Sequence, residues 1–145
     1  DCDEIWNPAY VSIKRVFPKP LKLKLLVYTY YLNNRSDEKF WGTIWSSYGY
    51  IKNSCLNHIR SDCQKSKSDF DGWHFTSLKD GLKRKLEDWY TPESYATEVV
   101  MSNLDKNIAE NKDFLGRDFK YWVSEEDWPQ YLKDNRGKYS HLLKK

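Results

Sequence analysis

No apolar run in the sequence approaches the roughly 20 residues that a membrane-spanning helix needs. No basic, apolar leader opens it either. The chain begins Asp1-Cys2-Asp3-Glu4, which reads like the start of a processed mature protein and leans towards secretion. Cysteine is limited to Cys2, Cys55 and Cys63, an odd count that fixes no disulfide framework. Histidine is limited to His58, His74 and His141. A Gly-x-Ser-x-Gly elbow, a phosphate loop, a dinucleotide fingerprint and a His-Glu-x-x-His motif are all missing, so the common signatures of hydrolases, nucleotide enzymes and metalloproteases do not apply. A large basic excess is missing too. The 24 Lys and Arg stand against 21 Asp and Glu, a net charge of +3, so nucleic acid is not an expected partner. An intracellular helical adaptor or nucleic-acid-binding domain stands only as the last alternative.

The few metal-ligand types do not converge in sequence. Cys55-x-x-His58, followed by Cys63 and His74, has some of the spacing of a zinc site. On one long helix those side chains spread over more than two turns, which favours core packing over coordination. The acids lie beside Lys and Arg on solvated faces, and no carboxylate pair stands out as a glycosidase centre. The expectation is a protein without catalytic residues, metal or cofactor.

Aromatic residues are what the chain has in excess. Seven Trp, eleven Tyr and six Phe are more rings than a core of this size hides, so some are expected at the surface. With 145 residues, the chain is read as one domain with its own core. Pro8, Pro18 and Pro20 make residues 1–19 an irregular lead-in, and residues 137–145 read as a loose tail.

Between them the spacing predicts an all-α domain, a compact bundle of about five helices. Leu21, Leu25, Tyr28 and Leu32 recur at helical spacing, although the same stretch also alternates as a strand would. Helix is chosen over 21–32 because Pro20 suits a first helical position and no partner strand is evident. Phe40, Trp41, Ile44, Trp45, Tyr48, Ile51, Cys55, Leu56 and Ile59 predict a long helix over 36–62. A third helix over 77–89 buries Leu78, Leu82, Leu86 and Trp89. A fourth over 92–115, started by Thr91-Pro92-Glu93 and stopped by Gly116, turns Tyr95, Val99, Leu104, Ile108 and Leu115 inward. Short helices broken near Pro129 follow.

The thiols follow from that helix. Cys55 and Cys63 would lie about 12 Å apart along its axis. A disulfide needs Cα atoms within roughly 7 Å. The expected bridge is therefore Cys2 to Cys63, with Cys55 in the buried stripe. Asn34-Arg35-Ser36 has the form of a glycosylation sequon.

Two features point to binding. Lys14, Arg15, Lys22 and Lys24 are interleaved with Val16, Phe17, Leu21 and Leu23, and Lys79, Lys83, Arg84 and Lys85 form a second basic cluster. Rings near the chain ends, Trp6, Trp122, Trp128 and Tyr131, lie in less periodic segments and are expected to be exposed. Basic residues beside exposed rings are the composition of an interfacial membrane contact.

The order of segments resembles a known family. An apolar first element is followed by an aromatic-rich one, then by a Leu/Lys helix ending Leu86-Glu87-Asp88-Trp89. A Thr91-Pro92 turn follows, then Asp118-Phe119-Lys120-Tyr121 and Trp128-Pro129-Gln130-Tyr131-Leu132. Over roughly residues 12–139 the chain resembles the abalone sperm lysin family, and more closely lysin's fusagenic acrosomal paralogue. The resemblance implies a five-helix bundle stored in the sperm acrosome, secreted at fertilization and devoid of catalytic residues. It also implies a partner at the egg, either an anionic membrane promoted to fuse or an egg-coat glycoprotein.

Overall fold

The alternation in Leu21-Lys22-Leu23-Lys24-Leu25 is that of a strand. A computed structural model describes residues 2–9, 19–88 and 92–145. In it Leu23, Leu25 and Val27 are buried while Lys22 and Lys24 are half-buried on the opposite face. The strands are β1 (Glu4–Trp6), β2 (Leu21–Tyr30), β3 (Asn34–Ser36), β4 (Phe40–Trp45), β5 (Gln64–Lys65), β6 (Gly72–Leu78) and β7 (Tyr121–Val123). They form one seven-stranded sheet in the order β1-β6-β2-β3-β7, with β4 and β5 also paired to β2. The helices are α1 (Tyr48–Ile51), α2 (Leu56–Ser61), α3 (Lys79–Glu87), α4 (Pro92–Tyr95), α5 (Glu98–Ala109) and α6 (Gln130–Asp134).

The all-α bundle is therefore overturned by a mixed α/β fold, 32% helix and 26% strand among the described residues. Two stretches account for it. In 21–30 and 40–45 the apolar residues recur at spacings that fit either period. Their β-branched and aromatic side chains, with Gly42 between them, then favour the pleated form once partner strands exist. The helix expected over 36–62 is thus a strand followed by two short helices. The sperm and fertilization assignment, which implied a helical bundle, loses its support with that bundle.

The chain packs as two compact units. The first draws on Asp1–Leu26 and Lys39–His74. In it β4 runs antiparallel to β2, with Leu21 opposite Trp45 and Leu25 opposite Phe40. Leu23 and Leu25 are buried under Leu21, Phe40 and Trp45. β1 lies antiparallel to β6, where the sequence suggested an irregular lead-in.

The second unit draws on Val27–Glu38 and Phe75–Lys145. Its core joins Tyr30 to Leu82 and Leu86 of α3, Leu104 and Ile108 of α5, and Phe114. The third predicted helix survives as α3. The fourth is split into α4 and α5, because Thr97 caps α5 by accepting from Val100 N at 3.3 Å. It ends where Asn111 takes a left-handed φ of 56°, well before Gly116. Val99, expected inside, is exposed. The tail is not loose: Asn33 and Lys144 exchange two hydrogen bonds of 3.0 and 2.8 Å. Leu143 is buried.

Candidate functional site

On the first unit, Lys22 sits opposite Ile44 and Lys24 opposite Trp41, with a register irregularity between the two pairs. Cross-strand partners share a face, so both lysines stand with Trp41 and Ile44. On the other side of β2, the short strand β5 runs parallel and sets Lys65 beside Lys22. The Lys65 ammonium lies 4.5 Å from the centroid of the Trp41 ring. A cation over an indole face gains about 0.5–1 kcal/mol at an exposed site. Three lysines and one Trp thus share one patch.

Beside this patch opens a cleft of about 500 Å³, lined by Glu4, Lys22, Arg60 and residues 40–44 of β4. Its acidic member is held in place: Thr43 Oγ1 donates to Glu4 Oε2 at 2.8 Å. Gly42 leaves room for both, since an added Cβ would lie 2.5 Å from the Phe40 ring and 2.6 Å from the Glu4 carboxylate and would make these side chains shift. Phe40 stacks on His74 with centroids 4.3 Å apart, and His74 Nε2 lies 3.3 Å from Asp3. Trp6 meets Trp45 edge-on at 6.2 Å and keeps 48% of its surface exposed.

The other sequence-predicted site residues are scattered. Lys14 and Arg15, with Val16 and Phe17, lie outside the described residues. In the second unit Lys79 and Lys83 are exposed, but Arg84 pairs with Asp88 at 3.2 Å and Lys85 donates to Thr76 Oγ1 at 3.0 Å. Trp128 is a correction. Only 4% of it is exposed, and its indole donates to Leu32 O at 2.8 Å, so it is a core residue. Trp122 is exposed on β7, with the Arg35 guanidinium 5.4 Å from its ring. Tyr131 is exposed and faces Tyr139.

Cys2, Cys55 and Cys63 are all free thiols, so the Cys2–Cys63 bridge is not formed. The continuous helix behind that expectation is also missing, and Cys55 is exposed at the foot of α2. The Cys63 thiol donates to Ile59 O. Burial raises its pKa, partly offset by Lys22. Asn34 is fully buried and its amide donates to Thr29 O and Asn111 Oδ1, so the sequon is not accessible in the folded chain.

Two buried carboxylates in the described residues are committed to structure. Asp71 accepts from Lys24 N at 2.8 Å and from Ser68 Oγ at 2.5 Å. Asp113 accepts from Leu115 N, from Arg117 backbone and side chain, and from Tyr121 OH. Burial would raise the Asp113 carboxyl, but these donors and the Arg117 charge hold it below its ordinary range.

The cleft residues Phe40, Trp41 and Ile44 were visible in the sequence only as a helical stripe. Lys65, in the polar stretch between the second and third predicted helices, was missed altogether. No family model, curated protein or solved structure matches the chain.

Proposed function

We propose that the protein is a non-enzymatic binding protein that docks on anionic surfaces, an anionic membrane first among them, through the basic and aromatic face of its first unit. The observation that carries this reading is the placement of Lys22, Lys24 and Lys65 on one face with Trp41 and Ile44. Ammonium groups draw an anionic surface in, and an indole tolerates the half-wet boundary behind it. The described buried acids support the non-catalytic part, because Asp71 and Asp113 spend their oxygens on backbone and side-chain donors.

Each basic residue near an anionic leaflet contributes about 1 kcal/mol. Replacing Lys22 and Lys24 with Glu should therefore weaken binding to phosphatidylserine-rich vesicles by more than about thirtyfold at low salt. The difference should shrink as salt rises, since surface charges are screened beyond about 8 Å at physiological ionic strength. Co-sedimentation with vesicles at two salt concentrations measures this. Equal binding by both proteins at low salt would sink the reading.

A second reading is an acidic glycan of a surface glycoprotein lying in the cleft. It is favoured by Lys22 and Arg60, basic groups that line the cleft together with the Phe40 and Trp41 rings. Capture of an acidic glycoprotein in preference to vesicles would move it ahead.

A further inference from the structure

We infer that the tip built from α1 and α2 inserts into the interface of an anionic bilayer, with Tyr48, Ile51 and Leu56 as the inserting side chains. This rests on the anionic-surface reading above and names the element that goes beyond electrostatic capture.

Three observations carry it. The first is exposure: Tyr48 is 79% exposed, Leu56 69% and Ile51 38%, all within nine residues of the first unit. Tyr48 and Ile51 are three apart on α1 and so lie on one side of it.

The second is charge. Residues 40–61 contain no Asp or Glu, and the basic side chains of the tip are Lys52, His58 and Arg60; the next acid, Asp62 at the end of α2, lies 3.9 Å from the Lys19 ammonium. An acid-free stretch of exposed apolar residues flanked by cations fits an anionic interface. An aqueous loop or a basic partner does not need that pattern.

The third is the backbone, whose polar groups resist leaving water unless they are bonded. Tyr50 N and Ile51 N donate to Ser47 O, and Lys52 N donates to Tyr48 O. Ser54 N donates to Ile51 O, and Ile59 N to Cys55 O. The Ser47 hydroxyl accepts a further bond from Tyr50 N. These amides keep their partners within the tip when it leaves water. Neither helix is long enough to span a bilayer, so the tip lies in the interface, roughly 5–10 Å deep.

Cys55 provides the probe, because it is exposed between Ile51 and Leu56. With Cys2 and Cys63 replaced by Ser, a polarity-sensitive dye on Cys55 should shift to the blue on phosphatidylserine-containing vesicles. Lipids carrying a nitroxide should quench it. The same dye on exposed Ser102→Cys of α5, in a background without the other thiols, should do neither. An unlabelled Tyr48→Ser/Leu56→Ser variant, altered only at exposed positions, should bind roughly tenfold more weakly at high salt. It should keep most of its low-salt capture.

If the protein binds vesicles but the Cys55 dye stays in water, and Tyr48→Ser/Leu56→Ser binds normally at high salt, insertion is wrong and capture stands. If Lys22→Glu/Lys24→Glu also binds normally at low salt, the capture reading falls with it. If the protein is a dimer in sedimentation and Tyr48→Ser/Leu56→Ser is a monomer, a second copy covers the tip and insertion is wrong.

Discussion

Tyr28 is fully buried and stacked on Phe75 at 5.1 Å, yet its hydroxyl has no hydrogen-bond partner among the described residues. A buried polar group without a partner costs about 1–3 kcal/mol, and removing it with its ring kept in place relieves that cost. Tyr28→Phe should therefore be neutral or about 1 kcal/mol more stable, measured by urea unfolding. A loss beyond 1 kcal/mol would show a partner that the geometry does not. Asp113 is the opposite case, a buried carboxylate with donors on both oxygens. Asp113→Asn should cost about 2 kcal/mol, discounted because Arg117 is partly exposed. Its folded pKa lies below the ordinary 3.8, so its contribution is present above that value and is lost as pH falls through the folded one. The variant should show a shallower loss of stability below about pH 4 than the parent. Equal acid slopes would remove Asp113 as a cause.

At the scale of elements, β1 depends on a glycine across from it. A Cβ on Gly72 would stand 2.1 Å from Ile5 O and 2.8 Å from Trp6 Cα, both backbone atoms that cannot swing aside. Gly72→Ala should therefore displace β1 and cost roughly 2–3 kcal/mol, with faster proteolysis ahead of Lys19. A variant with unchanged melting and cleavage would mean that β1 adds nothing to the first unit. Nothing in the sequence distinguishes Gly72 from the polar residues before it.

The elements that were legible had one clear period. α3 and the Leu104–Ile108 face of α5 show apolar residues at three and four with charges between, and both formed as helices. β2 showed two periods at once. Its alternation was the true one, because β4, β5 and β6 pair with it, and no single-segment pattern reveals partners elsewhere in the chain. The 36–62 stretch failed for the same reason, compounded by two breaks. Ser47 caps one short turn, and Cys55 starts another without a side-chain cap.

For the whole molecule, the site was half legible. Lys22 and Lys24 could be picked out because lysines alternating with leucines are conspicuous, but the face they share with Trp41 exists only once β2 and β4 pair. Trp128 misled because a ring in an aperiodic segment is not thereby exposed; its indole N–H found Leu32 O and the residue became core. The aromatic surplus that suggested surface rings is partly stored as the buried Tyr28 and Tyr30 and the half-buried Tyr121, and these phenols should set the alkaline limit of the fold. Burial pushes the Tyr28 phenol up to about 12. Tyr30 and Tyr121 are also raised, by burial first and then by the Asp113 carboxylate. Tyr30 OH donates to Lys112 O at 2.6 Å and Tyr121 OH to Asp113 Oδ2 at 3.0 Å, so ionising either removes a donor. The unfolded chain gives up these protons near the ordinary value of 10, below the folded values. Their contribution is therefore fully present below pH 10 and is lost as pH climbs towards the folded values. Each such phenol removes about 1.4 kcal/mol per pH unit in that window. The urea midpoint should hold steady from pH 8 to 10 and fall steeply from 10 to 11.5. In Tyr121→Phe the fall should be shallower, whatever that variant's stability at pH 8. A midpoint that stays level to pH 11.5, or a slope unchanged by Tyr121→Phe, would show that these phenols ionise as readily in the folded chain as in the unfolded one.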